Sequence, residues 1–220
     1  MKTKGKILNV LGDSITAGAN ATGFKLSYHQ ILKELGGFKE VNAYGVGGTR
    51  IAKQRVFLNG EKAEDCFITR AEMMKEKADV VLVFGGTNDY GHGDAPLGDL
   101  TDETDETFCG ACRVLLKKLR VKYASSKIIV LLPLRRLNDD NPYGENGKKA
   151  FASASLDEYC ELLKNIAQRF DCAICDLRAE KLLNPNDEEI NNLYFGDGLH
   201  PNNAGHKILA EYLLQFMNAL

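Results

Sequence analysis

The sequence predicts a single three-layer α/β/α domain built around a five-stranded parallel sheet. Short runs rich in Val, Ile and Leu alternate along the chain with segments whose apolar residues recur at helical spacing. Strands that alternate with helices pair in parallel through right-handed crossovers, and continuous apolar strands indicate a sheet covered on both faces. The 220 residues contain no internal repeat or linker, so we interpret residues 1–220 as one domain.

The predicted strands are five short apolar runs, of which the first three end in glycine-containing turns. They are 6–11, 41–44, 79–84, 127–132 and 173–176. Helical periodicity predicts five helices between and after them, at 24–35, 63–77, 106–123, 155–170 and 203–217. Residues 90–99 are predicted to form a polar loop, and 133–149 a longer loop whose part at 138–149 is long enough to be a lid or an oligomer contact.

Composition and charge narrow the classes of partner. A formal net charge of −2 gives no broad field for nucleic acid or for an anionic membrane. No segment approaches the ~20 apolar residues of a transmembrane helix, and the apolar run after the basic start is too short for a signal peptide. We therefore expect a cytoplasmic protein with a small-molecule substrate and neither nucleic acid nor membrane as partner; an oligomer is open but not indicated.

The six cysteines include two Cys-x-x-Cys pairs, which raises the question of zinc. The long gap between Cys112 and Cys172 does not resemble the spacing of a zinc ribbon or finger. We expect Cys109 and Cys112 to share one helix face, and Cys172 and Cys175 to point to opposite faces of a strand. Reduced, buried cysteines are therefore favoured over a metal site.

Three polar or glycine-rich motifs follow the first three predicted strands directly. Ser14 follows the first, Gly45 to Gly48 the second, and Asn88 the third. Because ligands bind at the carboxyl ends of the strands in open parallel sheets, we expect these motifs on one rim. Taken alone, Ser14 is also compatible with a helix N-cap.

His200 is the candidate base for a nucleophilic Ser14. In Asp197-x-x-His200-Pro201, one tight turn lets Asp197 accept a hydrogen bond from Nδ1, which leaves Nε2 to face Ser14. An ordinary turn with its corner at Asp197-Gly198 and with Pro201 opening the last helix is the alternative. Candidate oxyanion donors are the backbone N–H groups of Gly48 and Ser14 and the side-chain amide of Asn88. The alternative is that the glycines only form a turn after the strand and that Asn88 forms an Asx-turn.

Four blocks together resemble the SGNH hydrolases, also called the GDSL-like lipase/acylhydrolase family. They read Gly12-Asp13-Ser14-Ile15-Thr16, Gly45-Val46-Gly47-Gly48, Gly86-Thr87-Asn88-Asp89 and Asp197-Gly198-Leu199-His200-Pro201. Their order and approximate spacing agree with the family over nearly the whole chain. The last residue of the α/β-hydrolase motif Gly-x-Ser-x-Gly is replaced by Thr16, which favours this family over the larger one.

The resemblance implies a flavodoxin-like strand order of 2-1-3-4-5 and ester hydrolysis through an acyl-serine, without metal or organic cofactor. It makes Ser14 the nucleophile, His200 the base and then acid, and Asp197 its orienting partner, with Ser14, Gly48 and Asn88 forming the oxyanion hole. The Ser-Ile-Thr form of the first block resembles the branch with many carbohydrate esterases. This favours short acyl groups, for example acetyl on a sugar.

Other polar residues near this rim are weaker candidates. Asp13 is a candidate triad acid or substrate-binding residue by its position beside Ser14, but we expect it, like Asp89, to bond local backbone and shape a turn. Arg135 and Arg136 follow the fourth strand and either bind an anionic substrate group or form surface ion pairs. His92 either lines the pocket or belongs to a solvated loop, and the other two histidines are expected to be structural or surface residues.

Three other functions fit parts of the sequence. An acyltransferase that passes the acyl group to a sugar or alcohol would use the same residues. A dinucleotide-binding oxidoreductase is disfavoured because Arg50 stands where Gly-x-Gly-x-x-Gly needs its last glycine, and because the glycines follow the second strand. A non-catalytic binding module would not need every catalytic residue type.

Overall fold

A five-stranded, all-parallel sheet forms the centre of the molecule. The computed structural model describes residues 1–55, 62, 65–144, 149, 154–179 and 183–220. The strands are β1 (Ile7–Gly12), β2 (Glu40–Gly45), β3 (Val80–Phe84), β4 (Lys127–Leu132) and β5 (Ala173–Asp176). Their order is β2-β1-β3-β4-β5 and every pair is parallel. The fold class and the strand order expected from the sequence are both confirmed.

Eight α-helices connect the strands within the described residues. They are α1 (Ser14–Ala17), α2 (Tyr28–Gly36), α3 (Phe67–Met73), α4 (Thr87–His92), α5 (Phe108–Lys122), α6 (Leu156–Arg169), α7 (Glu188–Tyr194) and α8 (Asn203–Ala219). A short 3₁₀ turn, Phe24–Leu26, precedes α2. Over the part of the chain that the structure describes, no helix combines the length and apolarity needed to cross a bilayer.

The apolar residues of the strands point alternately to two helix layers. Val81 and Val83 pack with α3, α5 and α6 on one face, whereas Leu8, Val10 and Leu82 pack with α2 and α8 on the other. Burying one such side chain contributes about 1.5–3 kcal/mol. The continuous apolar runs in the sequence thus reflect a sheet that is covered on both faces.

Two predicted helices are shorter than the periodicity indicated. The helix predicted at 24–35 starts as the 3₁₀ turn and becomes α-helical only at Tyr28. The helix predicted at 63–77 covers Phe67–Met73, and residues 63 and 64 lie outside the described residues. It ends early because the next segment is held by side chains from β1 and from the end of α5: the carbonyl of Lys75 accepts from Asn9 Nδ2 at 2.8 Å and from Tyr123 OH at 2.6 Å.

Three short helices were not predicted: α1, α4 and α7. Helix α4 replaces the start of the loop expected at 90–99, and it contains a glycine that lowers its intrinsic helix propensity. Tertiary contacts hold it instead, since Tyr90 OH donates to the carbonyls of Asn138 and Asn141 at 2.6 and 2.9 Å. These contacts also secure the first part of the loop at 133–149, of which residues 145–148 lie outside the described residues, so its proposed role as a lid or oligomer contact stays a prediction.

The six cysteines are free and buried. Cys109 and Cys112 lie in the same apolar cluster, and Cys172 and Cys175 lie in clusters on opposite faces of the sheet, both as expected. Burial raises the pKa of Cys175 to about 12, which keeps this thiol protonated and unreactive at neutral pH.

The register of the strands brings the three sequence motifs to one rim. Gly12, the last residue of β1, is paired with Gly45 in β2 and with Phe84 in β3. The segments that begin at residues 13, 46 and 85 therefore leave the sheet side by side at its carboxyl edge. This is the edge at which the sequence places a functional site.

Candidate active site

Ser14 is the first residue of α1, directly after β1. The side chain of Asp13 caps this helix by accepting from the backbone N–H of Ile15 at 3.0 Å, so Asp13 bonds local backbone as expected. Gly12 makes the turn feasible, because a Cβ there would lie 1.9 Å from Thr16 Oγ1. The turn holds the Ser14 side chain half-buried at the rim.

His200 and Asp197 meet Ser14 in a continuous hydrogen-bonded chain. Ser14 Oγ lies 2.9 Å from His200 Nε2, and His200 Nδ1 lies 2.7 Å from Asp197 Oδ2. Because Nδ1 faces a carboxylate, it carries the ring proton, and Nε2 is left to accept from the Ser14 hydroxyl. The contacts anticipated from Asp197-x-x-His200 are present.

The Asp197 carboxylate also organises its own turn. Its Oδ1 accepts from the backbone N–H groups of His200 at 2.7 Å and Leu199 at 2.9 Å. Partial burial raises the pKa of Asp197, but the hydrogen bonds from His200 and Leu199 outweigh it and the net pKa lies below its usual value. The carboxylate is therefore charged at neutral pH.

The last helix begins at Asn203, and the preceding Asn202 is its N-cap. The alternative interpretation of this turn, in which Pro201 opens the helix, is therefore wrong.

The loop that contains Gly48 lies against Ser14 on one side and is hydrogen-bonded to Asn88 on another. Gly48 adopts a left-handed conformation with φ +73°, and a Cβ on its neighbour Gly47 would lie only 3.8 Å from Ser14 Cβ. Asn88, in the first turn of α4, donates from Nδ2 to the carbonyl of Thr49 at 3.2 Å. The loop after β2 thus connects the three residues expected to bind an oxyanion, and their joint role stays a prediction.

Two buried arginines that were not anticipated hold the loop around Gly48. Arg50 donates to the Gly48 carbonyl at 2.7 Å and forms a two-point ion pair with Asp94, at 3.1 and 2.7 Å. Arg70 donates to the carbonyl of Gly12 at 2.8 Å, to the carbonyl of Tyr44, and to Thr49 Oγ1 at 2.7 Å. Arg70 therefore joins the ends of β1 and β2 to the loop that carries Gly48.

Arg50 lies two residues after the glycine motif 45–48. This proximity is the one sequence signal that could have identified Arg50 as a support of the loop. Arg70 lies in α3 and has no local signal, because its role depends on three segments that are distant in sequence. Both side chains are almost fully buried, at 1 % and 6 % exposure. A buried arginine is retained only where its donors are satisfied, and here the acceptors include three backbone carbonyls of the rim.

Asp89 has a different role from the one expected of it. It does not bond local backbone but accepts from the N–H groups of Ile51 at 3.0 Å and Ala52 at 2.9 Å, in the same loop that contains Gly48. Burial raises the pKa of Asp89 to about 7, although these two hydrogen bonds lower it and Asp94 adds a repulsion. Consecutive residues of α4, Asn88 and Asp89, thus both hold this loop.

The raised pKa of Asp89 predicts a pH-dependent stability. The folded protein holds this proton more tightly than the unfolded chain, where the usual pKa is 3.8, so the contribution is full at low pH and is lost as pH rises through about 7. We expect the free energy of unfolding, measured in urea, to fall across this range, and Asp89→Asn to flatten the fall. Asp140→Asn, which changes an exposed carboxylate, is the control. If Asp140→Asn flattened the dependence of unfolding free energy on pH as much as Asp89→Asn does, the assignment of this dependence to Asp89 would be contradicted.

The weaker site candidates lie at the rim around Ser14 and His200: Asp13 directly precedes Ser14, and Asp13 and Arg135 both line a crevice at this rim. Asp13 and Arg136 are buried, at 2 % and 4 % exposure, and Arg136 donates to the carbonyl of Thr87 at 3.0 Å. Asp13 caps α1 and Arg136 bonds the first residue of α4, so both have structural contacts, and their expected role in substrate binding stays a prediction. Arg135 is half-buried and pairs with Asp139 at 3.4 Å and Asp157 at 3.1 Å, as the ion-pair alternative predicted.

The remaining histidines are structural. His29 Nε2 donates to the Thr16 carbonyl at 3.1 Å, and burial lowers the pKa of His29 to about 4. His206 accepts from Tyr28 N–H at 3.2 Å and donates to the Ala19 carbonyl at 3.3 Å. Both rings support the segment that carries Ser14. His92 is half-buried at the end of α4.

A narrow crevice opens between residues that flank the triad. Its walls include the apolar Ile15, Phe84 and Leu199 and the charged Asp13 and Arg135, and its empty space, part of which is open to solvent, is about 220 Å³. It is too narrow to admit a water-sized sphere. The crevice itself is therefore small in this conformation.

Comparison with known proteins points to one family. The sequence profile described as GDSL-like Lipase/Acylhydrolase family matches residues 10–208, which include all four motifs. No curated protein sequence matches the chain.

Solved structures share the fold over the whole chain. A protein from Lactobacillus plantarum is 27% identical, with a TM-score of 0.83 and coverage of 98% of both chains. A member of the lipolytic protein G-D-S-L family from Veillonella parvula is 18% identical, with a TM-score of 0.63 and coverage of 97% of this chain and 99% of the other. An acetyl xylan esterase, AlAXEase, is 20% identical, with a TM-score of 0.61 and coverage of 96% and 98%.

Proposed function

Because the chain belongs to the GDSL-like lipase/acylhydrolase family and is a hydrolase, we propose that it cleaves short-chain carboxylic esters through an acyl-enzyme formed on Ser14. The observation that carries this proposal is the 2.9 Å contact between Ser14 Oγ and His200 Nε2. A serine hydroxyl becomes an effective nucleophile only when a base is placed to accept its proton. His200 is so placed, and Asp197 fixes its tautomer.

In the first half-reaction, Ser14 Oγ attacks the ester carbonyl carbon while its proton moves to His200 Nε2. The tetrahedral intermediate collapses as His200 returns this proton to the departing alkoxide, which leaves as the alcohol. Asp197 stays ionised throughout and stabilises the imidazolium that forms between the two transfers. Its lowered pKa supports this role.

In the second half-reaction, water replaces the alcohol. His200 takes a proton from the water as its oxygen attacks the acyl-serine, and then returns the proton to Ser14 Oγ as the carboxylic acid leaves. The negative charge that develops on the carbonyl oxygen in both steps is stabilised by the N–H groups of Ser14 and Gly48 and by the amide of Asn88. The hydrogen bonds from Arg50 and Asn88 to the Gly48 loop preorganise these donors.

The proposed acyl group is short, with acetyl on a carbohydrate as a specific candidate. The narrow crevice beside the triad offers little apolar volume for a chain. A structurally similar protein is an acetyl xylan esterase, and the Ser14-Ile15-Thr16 form of the first motif resembles the branch with many carbohydrate esterases.

A panel of esters tests the reaction and the acyl length together. We expect p-nitrophenyl acetate and butyrate to be hydrolysed, acetylated sugars to release acetate, and palmitoyl esters to be poor substrates. Rapid turnover of palmitoyl esters would contradict the short-acyl proposal.

Covalent labelling tests the nucleophile. An organophosphonate should add to Ser14 alone, as seen by mass spectrometry, and Ser125→Ala, at an exposed serine remote from Ser14 and His200, should be labelled like the wild type. Labelling of another residue would contradict the assignment of Ser14 as nucleophile. Addition of an alcohol acceptor distinguishes hydrolysis from acyl transfer, since a transferase would form the new ester in place of the free acid.

A further inference from the structure

Asn20 lies in the loop that follows α1 and has an unusual backbone conformation. Its φ is +63°, in the left-handed region that side chains other than glycine rarely adopt. Asparagine tolerates this region better than most residues, and such strain persists where surrounding contacts select it. Asn20 is exposed, so packing in the core does not explain the conformation.

The side-chain amide of Asn20 explains it. Nδ2 donates to the carbonyl of Phe195 at 2.6 Å and to the carbonyl of His200 at 2.9 Å. These carbonyls stand at the two ends of the turn that contains Asp197 and His200. A single amide, six positions after Ser14 in the chain, therefore brackets the segment that supplies the acid and the base.

Other hydrogen bonds reach this turn from different directions. Asp197 holds the turn together internally, as described above, but does not fix its place relative to α1. The backbone N–H of Leu137 donates to the Gly198 carbonyl at 2.9 Å from the side of β4. Thr22 and Asn203 are joined by two hydrogen bonds of 2.9 Å, which secure the start of α8 just beyond His200.

We propose that Asn20 is a positioning residue that sets the distance between His200 Nε2 and Ser14 Oγ. The inference rests on the proposed function, in which this contact transfers the proton. Ser14 lies on the loop side that carries Asn20, and His200 lies on the turn that Asn20 holds. Loss of the amide leaves each half of the site intact but lets one half move relative to the other.

Replacement of Asn20 by glycine isolates the amide from the backbone. Glycine adopts φ +63° without strain, so Asn20→Gly keeps the loop conformation and removes both donors. A displacement of about 1 Å in a catalytic group can cost about 10²-fold in rate, and we expect kcat to fall by about ten-fold to a hundred-fold while KM is unchanged. Asn20→Asp, which places an acceptor against two carbonyls, should lose at least as much.

Asp171→Gly is the matched control for the backbone change. Asp171 also has a positive φ, +52°, but lies before β5 at the opposite edge of the sheet. We expect its kcat to equal that of the wild type. We also expect its change in melting temperature, relative to the wild type, to be at least as large as the change in Asn20→Gly. Wild-type kcat in Asn20→Gly, or an equal loss in Asp171→Gly, would overturn the proposal.

NMR of the His200 ring tests the geometry without any ester. The ¹⁵N shift of Nε2 reports the hydrogen bond from Ser14, and Ser14→Ala gives its value when that bond is absent. In Asn20→Gly we expect Nε2 to move toward the Ser14→Ala value, while Nδ1, bonded to Asp197 within the turn, stays as in the wild type. An unchanged Nε2 shift would overturn the inference, whereas failure of the proposed function would show separately, as full esterase activity in Ser14→Ala.

Discussion

Ser14→Ala and His200→Ala should each reduce ester hydrolysis by at least about 10³-fold, because members of a nucleophile–base pair act as a unit. Without Oγ no acyl-enzyme can form, and without Nε2 the hydroxyl keeps its proton. The double variant should be no slower than the single variants, since removing either member already abolishes the shared step. Initial rates with p-nitrophenyl acetate measure all three.

Both positions are at least partly accessible, so these substitutions should leave the fold intact. His200 retains 22% of its side-chain exposure, and circular dichroism with thermal melting checks that each variant is folded. Ser125→Ala controls for the loss of a serine hydroxyl. A folded Ser14→Ala protein that kept a tenth of the wild-type rate would rule out Ser14 as nucleophile, and additive losses in the double variant would rule out a joint role.

Asn88→Ala should lower kcat by about 10²–10³-fold, the usual cost of losing one oxyanion donor, with a much smaller effect on KM. The amide matters most in the transition state, when negative charge develops on the substrate oxygen. Asn88→Asp, of nearly the same shape, should be at least as slow because a carboxylate cannot donate and repels the oxyanion. Steady-state kinetics on one acetyl ester give both constants.

The hydrogen bond from Asn88 to the Thr49 carbonyl requires a second comparison, because Asn88→Ala also removes this support from the Gly48 loop. Thr49→Val removes two other hydrogen bonds of the loop, to Val46 and from Arg70, without removing an oxyanion donor. It therefore measures what loosening the loop costs. Equal losses of kcat in the two variants would assign Asn88 to loop support, and a much larger loss in Asn88→Ala would assign it to the oxyanion.

The sheet and the triad geometry could be predicted because their signals are local. Each strand is a continuous apolar run, and β4 and β5 begin and end at the predicted residues. Ser14, Asn88 and His200 stand in short motifs whose positions after a strand, or before the last helix, fix their place on the rim. The Asp197 turn is equally local, since acid and base are three residues apart.

The supports of the site could not be predicted, because they are made by contacts across the fold. Arg70 reaches the ends of two strands and the Gly48 loop from α3, and Asp89 reaches a loop 37 and 38 residues away. Helix α4 contains glycine and is held by Tyr90, so propensity alone gives a loop. Asn20 has no motif at all, and its role follows only from the two carbonyls that its amide meets.

The separation of nucleophile and base by 186 positions has a consequence for biosynthesis. Domains of this kind form their nearby contacts early, and contacts between distant segments come late. A nascent chain still attached to the ribosome can complete β1 and expose the Ser14 hydroxyl long before residue 200 has been translated. The hydroxyl is then an ordinary alcohol without the proton acceptor that the proposed reaction needs, so the site becomes complete only when the turn that carries His200 docks beside β1.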